Sequence, residues 1–117
     1  MLTNLTRRLA QLATLNQTIT YGQLARDLAL EGPGTIARLT TALEQLMEED
    51  AAQNAPFRAA LLSGRLARDL PAQGFFDKAA ALNRYHGQDP ATYVAQERAA
   101  LALSHLPKYP TGRSGGV

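Results

Sequence analysis

The sequence predicts a mainly α-helical domain with one small β-hairpin and an additional C-terminal helix. Three observations predict it. Apolar residues recur at three- and four-residue spacing in separated stretches of the first 50 residues. A Gly-Pro-Gly break at 32–34 parts the second stretch from the third. Between 57 and 76 the pattern turns partly alternating around a turn-rich, arginine-bearing segment.

Leu2, Leu5, Leu9 and Leu12 form one helical stripe, with Arg7, Arg8 and Gln11 off it. A first helix is expected at about 3–14. Thr20 is a good N-cap and Gln23 completes a capping box. The second helix then spans about 21–28, with Tyr21, Leu24, Ala25 and Leu28 inward, and "EGPG" at 31–34 ends it. Thr35 can cap a third helix over 35–50, whose buried stripe is Ile36, Leu39, Leu43, Leu46 and Met47. Its closing Glu48, Glu49 and Asp50 oppose the helix dipole.

"FRAALLSGR" at 57–65 and "GFF" at 74–76 read as two short antiparallel strands around a basic loop; a helix at 57–62 is the rival for the first. Phe75 to Leu82 suggest a short helix to about 83. Asp89 and Pro90 open a last helix over about 90–105, with Val94, Arg98, Leu101 and His105 on one side. At 117 residues and 45% apolar content, one domain over 1–106 is expected, with a mobile tail over 107–117.

Composition removes several functions. There is no cysteine, hence no disulfide, thiolate metal site or cysteine nucleophile. No apolar run approaches the roughly 20 residues of a membrane span. The amphipathic, arginine-bearing N-terminus does not resemble a signal peptide, so a soluble, cytoplasmic protein without membrane contact is expected. His86 and His105 are the only histidines, and with Glu97 they fall short of a metal ligand set. The three serines lack a nucleophile-elbow context, and no glycine-rich loop has phosphate-cradling spacing. No catalytic constellation, metal, cofactor or small-molecule substrate is expected.

The order helix, helix, Gly-Pro break, longer helix, strand, basic loop, strand is the layout of a winged helix-turn-helix, with the hairpin as the wing. "ITYGQLA" at 19–25 resembles the opening of the helix-turn-helix in the C-terminal domain of O6-alkylguanine DNA alkyltransferases and alkyltransferase-like proteins. "LTTAL" at 39–43 would lie on that family's recognition helix. "LPAQGFF" at 70–76 is similar to the wing ending of small bacterial winged-helix proteins. The family's acceptor cysteine lies in Pro-Cys-His-Arg; here the corresponding stretch is Pro56-Phe57-Arg58-Ala59. Alkyl transfer by that mechanism is therefore excluded. The family's base-replacing arginine aligns with Ala37, one place from Arg38.

The expected function is non-catalytic binding of double-stranded DNA, in a regulatory role. Thr35 and Arg38 lie where recognition helices reach bases or phosphates. Arg58, Arg65 and Arg68 would give the wing phosphate contacts, and Arg26 would touch the backbone from helix two. Charge is uneven: residues 1–56 hold four arginines against six acids, and 57–117 hold eight bases against four acids. A mildly basic second half suits phosphate contact. The alternative is a protein-interaction module. Its motive is the acidic "MEED" on the third helix, and an Ala- and Leu-rich last helix on which a second copy would pack as a homodimer.

Overall fold

A computed structural model describes residues 2–64 and 69–105. The fold is mainly helical: α1 (Leu2–Leu15), α2 (Tyr21–Asp27), α3 (Thr35–Ala52), α4 (Gln73–Ala81) and α5 (Pro90–Ser104). Two two-residue strands, β1 (Ile19–Thr20) and β2 (Leu62–Ser63), pair in parallel, Ile19 with Leu62 and Thr20 with Ser63. α3 packs on α2, α4 and a 3-10 turn at Arg58–Leu61, which also meets α1 and α5. Among the described residues, no helix is long and apolar enough to cross a membrane.

Among the described residues, 57–64 and 74–76 do not form the expected antiparallel hairpin. Residues 58–61 form the 3-10 turn, and β2 takes β1 as its partner. Phe57, Ala59, Ala60, Leu61 and Leu62 are all buried. A strand would send alternate members of that run to solvent, whereas a tight turn between α1, α3 and α5 buries them together. "GFF" is helical for a related reason. Phe75, Phe76 and Ala79 form one buried face of α4, and Gln73 supports it by bonding Asp77 at 3.0 Å. The tail and the loop arginines Arg65 and Arg68 lie outside the described residues.

Helix ends are set by local chemistry. Thr20 accepts a bond from Gln23 N at 3.1 Å, but Gln23 turns its side chain to Asp27, so only half of the expected capping box forms. α2 stops before the Gly-Pro-Gly break. Leu30 N bonds Ala25 O at 3.0 Å and Ala29 N bonds Arg26 O at 2.9 Å, with Ala29 left-handed at φ 55°. That is a Schellman ending. Asn16, Asn54 and Asn83 take the same left-handed position after α1, α3 and α4. Thr35 is the first residue of α3 rather than its cap; Gly34, at φ 74°, holds the cap position without a side-chain bond. Asp89 caps α5 through Thr92 N, as expected.

The core joins Leu5, Leu9 and Leu12 of α1, Leu24 of α2, Leu39, Leu43, Leu46 and Met47 of α3, and Val94 and Leu101 of α5. Leu2 and Ile36, expected inward, are exposed at 41% and 44%. Each sits in the first turn of its helix, beyond the packed layer. An aromatic group closes the far side: Phe75 stands edge-on to Phe57 and Phe76, while Tyr85 lies 5.1 Å from Tyr93.

Tyr93 supplies a pH test. Its hydroxyl is buried without a hydrogen-bond partner among the described residues. Burial, with Glu97 adding to it, pushes the phenol up to about 12; the facing Arg84 guanidinium, not in bonding geometry, offsets part of this. Because the folded value lies above the unfolded one near 10, the unfolded chain loses its proton first. Stability should therefore fall as pH rises from 10 to 12. Tyr21 is raised by burial as well, so Tyr93→Phe should reduce that fall rather than abolish it, and should raise stability at pH 7 by about 1 kcal/mol through loss of an unpaired buried hydroxyl. Urea unfolding at pH 7, 10 and 11.5 checks both; an unchanged alkaline slope in the variant would assign the fall elsewhere.

Candidate nucleic-acid interface

The turn at 28–34 presents the start of α3. Arg38, exposed one turn into the helix, donates from Nη2 to the Glu31 carbonyl and so lies back over this turn. Thr35 beside it is half-buried. Arg26 is exposed near the end of α2 and donates to Gln23 Oε1 at 2.9 Å. Thr35 and Arg38 thus stand together at the start of α3, while Arg26 flanks the turn on the α2 side with its guanidinium directed back along that helix. Ile36 and Ala37 lie exposed between Thr35 and Arg38.

Arg58 does not join them. Its guanidinium reaches Asp50 at 2.9 Å and Glu49 at 3.4 Å, and its backbone N–H donates to Asp50 Oδ2 at 3.0 Å. Asp50 is twelve residues beyond Arg38, or about 18 Å along a helix. Arg58 therefore serves as the partner of a buried carboxylate, not as a wing cation. The same bonds change the meaning of the acidic "MEED". Glu48 pairs with Lys78 at 2.6 Å, and Asp50 with Arg58, so two cations offset the charge that opposes the α3 dipole.

Asp69 binds Arg98 Nη1 at 3.3 Å and accepts from Thr18 Oγ1 at 3.1 Å. Arg98 also donates to the carbonyls of Ala60 at 2.7 Å, Leu62 at 3.3 Å and Asp69 at 2.7 Å. One arginine thereby ties α5 to the 3-10 turn, β2 and the loop end. Burial pulls its pKa below the ordinary arginine value, and the Asp69 carboxylate opposes that. Glu97 accepts from Phe57 N at 2.8 Å and Arg84 Nη2 at 3.0 Å. His105 caps α5 and its ring meets Leu101 O at 2.9 Å.

The pairings leave a simple charge map. Among the described residues, Arg7, Arg26 and Arg38 form no ion pair. Sequence reasoning placed Arg7 on the polar side of α1 but gave it no role. Its nearness to the turn at 28–34 depends on how α1 crosses α2, which no local pattern reveals. Comparison with known protein families, curated proteins and solved structures finds no match for this chain.

Proposed function

We propose that the protein binds double-stranded DNA without catalysis, using α2, the 28–34 turn and α3 as a helix-turn-helix. Thr35 and Arg38 would meet base edges or phosphates from the first half of α3, and Arg26 would touch the backbone from α2. The observation that carries this reading is that Arg26 and Arg38 flank the turn without ion-pair partners among the described residues, while the acids at the far end of α3 are paired. The exposed, small Ala37 leaves that surface open to close approach. The resemblance to alkyltransferase-type helix-turn-helix segments supports the architecture alone.

The test is a salt titration of binding to a labelled random-sequence duplex. Arg38→Ala should weaken binding about tenfold, within the range for loss of an arginine contact. Equal affinity for the variant and the native chain would remove α3 from the interface.

One observation favours the second reading, a protein-interaction module. A groove of about 740 Å³ runs along α5 past Ala95, Ala99 and Ala102 to Leu103, which is 69% exposed. On that reading the chain associates with a protein partner and the duplex stays unbound.

A further inference from the structure

We infer that the polar face of α1, joined to α2, is a second contact surface for the DNA backbone, with Arg7 and Arg26 each holding a phosphate. The inference rests on the DNA-binding reading and extends it to a helix outside the helix-turn-helix. Its basis is a chain of side-chain bonds across the two helices. Arg8 Nε donates to Asp27 Oδ2 at 3.1 Å, Gln23 Nε2 donates to Asp27 Oδ1 at 2.7 Å, and Arg26 Nη2 donates to Gln23 Oε1 at 2.9 Å. Gln11 adds an acceptor for Arg8 at 3.3 Å. The Gln23 bond, followed by Arg8, holds the Asp27 carboxyl below the usual carboxylate range, so it stays ionised and keeps its grip.

The chain fixes Arg26 while using only one of its outer nitrogens in a side-chain bond, so donors remain for an anion. Arg7 borders the same place: it lines, with Arg8, Asp27 and Leu28, a concavity of about 300 Å³ between α1 and the end of α2. Local charge is positive. Arg7, Arg8, Arg26 and Arg38 stand against Asp27 and Glu31, and Asp27 is neutralised by Arg8.

A polyanion with regularly spaced phosphates fits this surface better than a membrane. An interfacial helix needs a free apolar face, and α1 has buried Leu5, Leu9 and Leu12 inside the fold. Fixing a guanidinium before binding lowers the ordering cost of the contact. Gln23 is therefore a positioning residue and Arg26 the group it positions.

The test measures binding to a labelled random duplex across salt concentrations for the native chain and four full-length variants, Arg7→Gln, Lys78→Gln, Gln23→Ala and Arg38→Ala. Arg7→Gln should lower the log–log salt slope by about one, the signature of one lost phosphate contact. Lys78→Gln removes a charge paired with Glu48 near the far end of α3 and should leave the slope unchanged. Gln23→Ala alters no charge and should weaken binding about threefold, the size of one side chain left to be ordered on binding. If the native chain binds and Arg38→Ala weakens it, but Arg7→Gln and Gln23→Ala bind as the native chain does, this second surface is wrong and the helix-turn-helix reading stands. Equal losses for Arg7→Gln and Lys78→Gln would reduce the effect to net charge and also overturn it. Absence of duplex binding by the native chain, or binding only to anionic phosphatidylserine vesicles, would overturn both readings.

Discussion

Replacing Phe57 by alanine is expected to cost about 3–5 kcal/mol of folding free energy, the range for truncating a buried aromatic. Phe57 is fully buried, and several elements converge on it. Its ring meets Phe75 edge-on at 6.0 Å, and the Arg84 guanidinium carbon lies 4.1 Å from its centroid. Alanine would leave a cavity and strip Arg84 of a cation–π contact while Arg84 remains tied to Glu97. Small domains are stable by only about 5–15 kcal/mol, so the variant should be close to unfolded at 37 °C. Phe57→Leu keeps most of the volume and should cost less than about 1.5 kcal/mol. Urea denaturation followed by circular dichroism separates the two; equal midpoints for alanine and leucine would show that the ring does not organise the core.

Asp50→Ala is the second large effect. Asp50 is the buried charged residue of the described core, at 4% exposure, and it accepts from both the backbone and the side chain of Arg58. Removing it strands a cation and an N–H together. Breaking a buried pair costs about 3–5 kcal/mol; the Arg58 side chain is 24% exposed, so solvent recovers part of this and roughly 2–3 kcal/mol is expected. Asp50→Asn keeps an acceptor and should fall between alanine and the native chain. An alanine variant as stable as the native one would make the Asp50–Arg58 bridge incidental to the turn that buries Phe57.

The contrast between these residues shows what the sequence made legible. The stripes of α1, α2 and α3 and the Asp89-Pro90 start of α5 were readable because each depends on neighbours within one or two turns. The segment from 57 to 76 was not. "FRAALL" is apolar throughout, and a run that short is compatible with a strand, a helix or a tight turn. Burial against three helices decided among them. Asn16, Asn54 and Asn83 were a missed local signal, since asparagine tolerates the left-handed position that ends a helix. The candidate interface was half visible. Thr35, Arg38 and Arg26 lie beside a turn that the glycines marked. The partner of Lys78 comes from 30 residues away, those of Arg58 from across the turn that follows α3, and the place of Arg7 beside the end of α2 depends on how two helices cross.

Those pairings also explain why the overall charge says little about the interface. The formal net charge is +2. Ion pairs hold Arg58, Lys78, Arg84 and Arg98 to carboxylates, while Arg7, Arg26 and Arg38 form none among the described residues and, on the proposed reading, keep donors for a phosphate. A surface of so few cations gives modest affinity with a clear salt signature. The measurement that tests this most directly is binding of the native chain to a random-sequence duplex between 50 and 200 mM salt, values on the scale where phosphate contacts show. Two or three phosphate contacts predict a log–log slope of about −2 to −3. No detectable binding at the low-salt end, or binding indifferent to salt, would contradict a DNA-binding role for this protein.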